Sequence, residues 1–412
     1  MHPLSYARRV YIVAAIAALM TACNDGSHIT EPTRPVPLVD SQHENAGTVV
    51  HVADVEQLYA AVNDPANVGT TILLAPGTYV LSAKDALGGD RPNVGRLELQ
   101  QDMSLVGVAG HRDVVIIDAT ALTAASFSAP FGRTGVIRAG RGSNAVEWLT
   151  IAGNPLAAAA VETDLVGTPT TQLRVAHVVA GNSARGVDIR NVGAAMAGRR
   201  IDAEIVDSEF FRGVEGIRVA SFVGADYGDI RVAMTGNRFY QNILGCIVEH
   251  NRSSFATIYV RSSGDRFEDN GLGCQIGGGL TVSPGAANFT STVFECSETH
   301  FINNTRTSFF NNTGPDFTEF GGLLVIAGDA FTLAGTTSGN TLTLRLSDCM
   351  VAENQNIDFQ AFGARSGDPS RVSGFHNHTT IELHGFSTHI DVVGVDSSPV
   401  DPSGSNTLTI VR

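Results

Sequence analysis

The chain has 412 residues, 17% of them charged, with 44 glycines and a formal charge of −14. That balance excludes a nucleic-acid partner, because phosphate binding needs a basic face. The glycine-rich, charge-poor mix suits a turn-rich β protein rather than a helical one. The acidity serves solubility and also admits affinity for an oxygen-liganded cation such as Ca²⁺.

The first element is an address rather than structure. Arg8 and Arg9 precede an apolar run, Val10 to Met20, too short to span a bilayer comfortably. Met20-Thr-Ala-Cys23 then resembles the bacterial lipobox. The resemblance implies lipidation at Cys23, a membrane partner through that anchor, and a place in the bacterial cell envelope, on the periplasmic face of the outer membrane or on the cell surface. Residues 1–22 are therefore read as a signal peptide. Residues 23–48, with Pro32, Pro35 and Pro37 among polar residues, are read as a flexible tether. Residues 49–412 are left as one domain.

That domain opens with Val55, Leu58, Tyr59 and Val62 spaced as one helix face, with Asp54 as N-cap. Strand-like segments follow at Thr71–Tyr79, Met103–Gly107 and Val115–Asp118. From there a short pattern recurs at roughly 30-residue steps, lengthening toward the C-terminus. It is an apolar residue, two variable residues, then Asn: Ile151-Ala-Gly-Asn154, Val179-Ala-Gly-Asn182, Phe239-Tyr-Gln-Asn242, Phe267-Glu-Asp-Asn270, Phe301-Ile-Asn-Asn304 and Val351-Ala-Glu-Asn354. Phe210-Phe-Arg-Gly213 carries Gly in place of Asn. Alternating segments flank each motif, such as Ile201/Ala203/Ile205 before it and Gly216-Ile-Arg-Val219 after it. Alternation at period two marks half-buried strands.

Three short strands per repeat without a recurring Asn-Gly hairpin turn fit a coil. Asn and Gly recur at one corner because they accept the left-handed backbone of a sharp bend. The arrangement resembles the pectin-lyase-like superfamily over about residues 49–412. The resemblance implies a single-stranded right-handed parallel β-helix with three short sheets, an Asn/Gly corner ladder and an N-terminal capping helix. It also implies a polysaccharide along one outer sheet. The Trp-Ile-Asp-His, Gly-His-Gly and Gln-Asp-Thr-Leu stretches of that superfamily's best-known enzymes are absent, and the single tryptophan is Trp148.

On that outer sheet the register predicts two outward ladders. One is Asp202, Arg231, Tyr259, Val293, Thr343; the other is Glu204, Ala233, Arg261, Glu295, Arg345. Arg binds carboxylates in bidentate fashion, and Tyr offers a ring to a sugar. For β-elimination, Arg231, Arg261 or Tyr259 is the expected catalytic base, since Lys84 is the only lysine. Asp202, Glu204, Glu295 and Arg345 are the expected substrate contacts. Asp202 and Glu204, roughly 7 Å apart along a strand, would be the pair for hydrolysis. Such a face also arises when exposed strands merely pair their charges.

Asp226 and Asp229 are the candidate Ca²⁺ ligands, although a polar turn explains them as well. His376, His378, His384 and His389 crowd the C-terminal region, the first two on one strand face if that segment is extended. Cys246 and Cys274 fall in the same inward slot of consecutive repeats, as a bridge or as two packed thiols. Cys296 points inward, and Cys349 has no evident mate. Residues 277–291 and 312–339 read as long connections that could wall a groove. The expectation is a monomeric exported lipoprotein that binds an acidic polysaccharide along one outer sheet, with its cleavage by a lyase or hydrolase reaction left open. The alternative is a non-catalytic structural or adhesive surface protein.

Overall fold

The computed structural model describes residues 48–128, 134–163, 170–281, 285–305, 321–330, 335–354, 357–366, 374–385, 392–395 and 406–412. Cys23, the leader, residues 24–47 of the tether and His389 lie outside these residues.

Each turn of the chain lays down three strands because apolar side chains alternate and then stop at a bend. In Arg200–Val206 the side chains of Ile201, Ala203 and Ile205 are buried while Asp202 and Glu204 are half-buried on the other face. Glu209–Phe211 then inserts Phe210, and Glu215–Phe222 inserts Ile217 and Val219. The next turn repeats this with Asp229–Thr235, Arg238–Tyr240 and Leu244–Asn251. Equivalent strands pair in parallel. Among the described residues the stacks form sheets of 12, 9 and 10 strands around one apolar core. The chain is a parallel β-helix.

At its N-terminal end a helix spans Val55–Asn63. The Asp54 side chain accepts a hydrogen bond from the Gln57 N–H at 2.8 Å, and Leu58, Tyr59, Ala61 and Val62 are buried. Farther on, Phe210, Phe239, Phe267 and Phe301 stack inside the coil with centroids 5.5, 4.8 and 5.0 Å apart. Parallel rings at this spacing add packing energy beyond their burial.

The corner ladder runs beside that stack. Asn242, Asn270 and Asn304 each accept the N–H of the preceding coil's residue: Gly213 at 2.9 Å, Asn242 at 2.9 Å and Asn270 at 3.1 Å. Asn354 accepts from Asn304 at 3.0 Å, and Asp358 closes the row by accepting from the Asn354 amide at 2.9 Å. Each Nδ2 from Asn242 to Asn354 also donates to the carbonyl of a phenylalanine in the coil before, as Asn270 does to Phe239 at 2.9 Å. Replacing Asn270 with alanine strands the Asn242 N–H and the Phe239 carbonyl in a buried corner. Each such orphan costs about 1–3 kcal/mol. The Asn270→Ala variant is expected to lose about 2–3 kcal/mol in urea unfolding. A loss below about 1 kcal/mol would mean that water satisfies the vacated groups.

Three expectations are corrected. The motif at 179–182 is displaced by one residue: Ala180, not Val179, pairs with Ile151 and Phe210. Asn182 is exposed at φ 62, and Ser183 takes the buried ladder slot. In this register Gly181 pairs with Phe211, whose ring lies over it where a Cβ would come within 2.7 Å.

Residues 277–291 and 312–339 are not simply connections. Leu272–Leu280 and Gly321–Ala330 are strands of the ten-stranded sheet. Gly285–Asn288 and Gly335–Ser338 pair with each other in a small fourth sheet, joined by Gly374–Phe375. Gly278 and Gly279 read as loop residues but are required by crowding: a Cβ there would meet the Ala327 carbonyl at 2.3 Å and Asn340 Nδ2 at 2.4 Å. Asn340, Asn377 and Asn406 form a second asparagine ladder after that sheet.

Third, His376 and His378 do not share an extended strand. His376 sits at φ 52, at the bend between Gly374–Phe375 and His378–His384.

Candidate functional site

The two outward ladders of the twelve-stranded sheet have the register expected of them. Asp202, Arg231, Tyr259, Val293 and Thr343 are successive partners, as are Glu204, Ala233, Arg261, Glu295 and Arg345. Most of their charges are consumed by neighbours. Arg200 Nε donates to Asp202 at 2.9 Å, and Arg174 pairs with both Glu204 and Glu147. Arg231 pairs with Asp229 at 3.0 Å. Arg345 bridges Glu295 at 2.8 Å and Glu382 at 3.0 Å. The Tyr259 hydroxyl donates to Glu295; burial and that bond push its pKa up to about 12. The Arg261 side chain is exposed and, among the described residues, makes no ion pair or hydrogen bond.

The candidate metal ligands are likewise engaged. Asp226 accepts the Ser254 N–H at 2.7 Å, and Asp229 accepts from Thr257 Oγ1 at 3.0 Å besides Arg231. Among the described residues no group of three or more His, Cys, Asp or Glu is placed to hold a metal ion. His378 meets Thr407 Oγ1 at 2.8 Å, and His384 lies 3.8 Å from Glu382.

A concave surface lies instead at the corner where each coil leaves this sheet. There the backbone turns left-handed at one residue per coil: Trp148, His177, Asp207, Gly236, Gly264, Glu298 and Asp348, with φ between 44 and 67. Each donates its N–H to the next coil, as His177 does to Val206 O and Gly236 to Ser263 O. The side chains therefore form an outward column. Trp148 and His177 stack with centroids 3.7 Å apart at 16°. His177 Nδ1 is 3.8 Å from Asp207. The Asp207 carboxylate lies over Gly236, where a Cβ would meet it at 2.4 Å, and Gly264 then leaves a gap, since a Cβ there would meet nothing within 4 Å.

The gap opens a hollow of about 470 Å³. Its floor includes Ser208 and Asn237, and Arg112, Glu209, Arg238 and Arg266 stand on its sides. Arg112 comes from a loop near the N-terminal end and reaches across the coils to bind Glu209 and the Asp207 carbonyl, the latter at 3.0 Å. Arg238 lies 4.2 Å over the Tyr240 ring and shares Glu268 with Arg266. Burial works against the Glu268 carboxylate, yet the two guanidiniums hold its pKa below the ordinary range. From Trp148 to Gly264 the column spans roughly 20 Å, four inter-strand steps. An aromatic pair, carboxylates and forked cations around an open hollow are the elements of sugar recognition. The sequence reading missed this column because no single residue type marks its position from coil to coil.

No protein-family model matches the sequence, and neither does any curated protein sequence. Solved structures similar to the chain include a pectate lyase, at 11% identity and TM-score 0.34, covering 85% of this chain and 79% of that one. The A-module of a mannuronan C-5 epimerase from Azotobacter vinelandii aligns at 12% identity and TM-score 0.36, over 88% and 98% of the two chains. The catalytic unit of an alpha-1,3-glucanase from Streptomyces thermodiastaticus aligns at 12% identity and TM-score 0.31, over 91% and 69%. At these values no residue role passes from them to this chain.

Proposed function

We propose that this chain is an envelope lipoprotein, anchored through Cys23, whose β-helix binds an acidic polysaccharide in the corner hollow. The observation that carries the reading is the hollow that opens at Gly264, flanked by the Trp148–His177 stack and by Arg112, Arg238 and Arg266. Arg112 pairs with Glu209, whereas Arg238 and Arg266 converge on the single carboxylate of Glu268, and that pair of guanidiniums favours a ligand group that brings its own negative charge. Cleavage would draw on the adjacent sheet face. There Arg261 is the group to test as base, because Arg231 and Tyr259 are held by Asp229 and Glu295.

Titration calorimetry against pectate, alginate and glycosaminoglycans tests binding, and release of unsaturated or reducing ends tests cleavage. Gly264→Asn fills the hollow with a side chain that tolerates positive φ. It is expected to weaken binding at least tenfold, about 1.4 kcal/mol, without changing the unfolding midpoint. Unchanged affinity in this variant, or no binding by the wild type anywhere in the panel, defeats the reading. In the second case the paired charges of Glu147, Arg174, Glu204, Glu295, Arg345 and Glu382 favour a non-catalytic adhesive or structural role.

A further inference from the structure

We infer that Cys296 and Cys349 are a disulfide-forming pair that staples one coil of the helix to the next. Cys296 points inward near the end of Ser291–Ser297, and Cys349 fills the inner corner just after the left-handed Asp348. The preceding coil supplies the geometric test. Ser262 is the register partner of Cys296. Thr299 stands where Cys349 does, since His300 pairs with Met350. Those two hydroxyls, Ser262 Oγ and Thr299 Oγ1, are 3.0 Å apart. The same two positions one coil on carry thiols in place of hydroxyls, on side chains that face one another.

Cys246 and Cys274 differ in this respect. They are in-register neighbours on parallel strands, both wholly buried, so their side chains run side by side. A disulfide needs Cβ atoms about 3.8 Å apart, closer than the roughly 4.8 Å between adjacent strands. Among the described residues the four thiols, Cys246, Cys274, Cys296 and Cys349, are free.

The chemistry is thiol–disulfide exchange with a small-molecule disulfide such as oxidised glutathione. Cys349 is 8% exposed and Cys296 3%, so Cys349 is the thiol the reagent reaches first. The Cys296 thiol beside it lowers its pKa against the effect of burial, which favours the thiolate. The Cys349 thiolate attacks a glutathione sulfur and expels one glutathione thiolate. The Cys296 thiolate then attacks Cys349 Sγ and expels the second. The S–S bond forms, two protons leave the protein, and one oxidised glutathione is reduced to two thiols.

The full chain is incubated with oxidised glutathione, denatured, alkylated and digested for mass spectrometry. The expected product is a Cys296–Cys349 linked peptide, with Cys246 and Cys274 alkylated and a higher urea midpoint than the reduced protein. The double variant Cys296→Ser, Cys349→Thr reproduces the residues of the preceding coil. It should fold, and its midpoint should not respond to the oxidant. Recovery of all four cysteines alkylated, a Cys246–Cys274 link in place of the other, or an oxidant effect of equal size in the double variant overturns the inference.

Discussion

Replacing Arg218 with methionine is expected to lower the unfolding free energy by about 3–5 kcal/mol, the range for breaking one partner out of a buried ion pair. Arg218 lies on the outer face of the ten-stranded sheet, and that face is closed to solvent here. Its side chain is 5% exposed, and it grips Asp188 with two bonds of 2.9 and 2.7 Å. Glu215 lies 3.9 Å away, and Glu249 and Arg185 complete the neighbourhood. Burial alone would raise the Asp188 pKa, but Arg218, then Arg190 and Arg185, override it and hold the carboxyl well below the usual range. Methionine fills much of the same volume, so the loss reads out the stranded carboxylates rather than a cavity. Urea unfolding at pH 7 measures it. Adding Asp188→Asn to Arg218→Met should recover part of the loss, because the two residues form one unit. A single-variant loss near zero would mean that water reaches these carboxylates.

That network also marks where sequence reasoning stopped. The segment Gly216-Ile-Arg-Val219 alternates as a half-exposed strand does, and Ile217 and Val219 do face the core. Alternation cannot tell whether the other face meets water. Here it does not, and Arg218, Asp188 and Glu215 are buried in mutual contact. Most of the inward register was legible, because Phe239, Phe267 and Phe301 and the asparagines after them recur with the period of the coil. The slip at Val179 arose where small residues, Ala180 and Gly181, stand in for that phenylalanine pattern.

The candidate site was legible only in part. The ladders containing Arg231, Tyr259 and Arg261 follow from period-two alternation alone. The corner column does not, because its requirement is one left-handed residue per coil, met by Trp148, His177, Asp207 and Gly236 alike. A backbone constraint of that kind leaves no signature in hydrophobicity. The fourth sheet was hidden for a related reason: glycines at 277–279 look like a loop, yet close packing against Ala327 and Asn340 requires two of them, Gly278 and Gly279.

Glu249 gives the same buried face a pH dependence with a definite sign. Burial, chiefly, and then the nearby Glu215 and Asp188 raise its pKa to about 7, with Arg218 and Arg185 opposing. The unfolded chain ionises this group near 4.5. Between those values the folded state holds a proton that the unfolded state has released, so stability falls as pH rises. The penalty is absent below about 4.5 and complete above about 7, and on the order of 3 kcal/mol if the full shift is realised. Glu249→Gln should therefore match the wild type at pH 4.5 and exceed it at pH 8.

Two other buried groups are common to both proteins and cancel in that difference. Asp265, its pKa raised to about 6 by burial, has the same sign. His250, held neutral by burial with a pKa near 3, has the opposite one and weakens the fold as pH falls below 6.5. Urea midpoints of the two proteins across pH 4.5 to 8 make the comparison. Parallel curves would show that Glu249 is ionised throughout, with Arg218 shared between it and Asp188. Curves that separate only above pH 5 would locate the proton on Glu249.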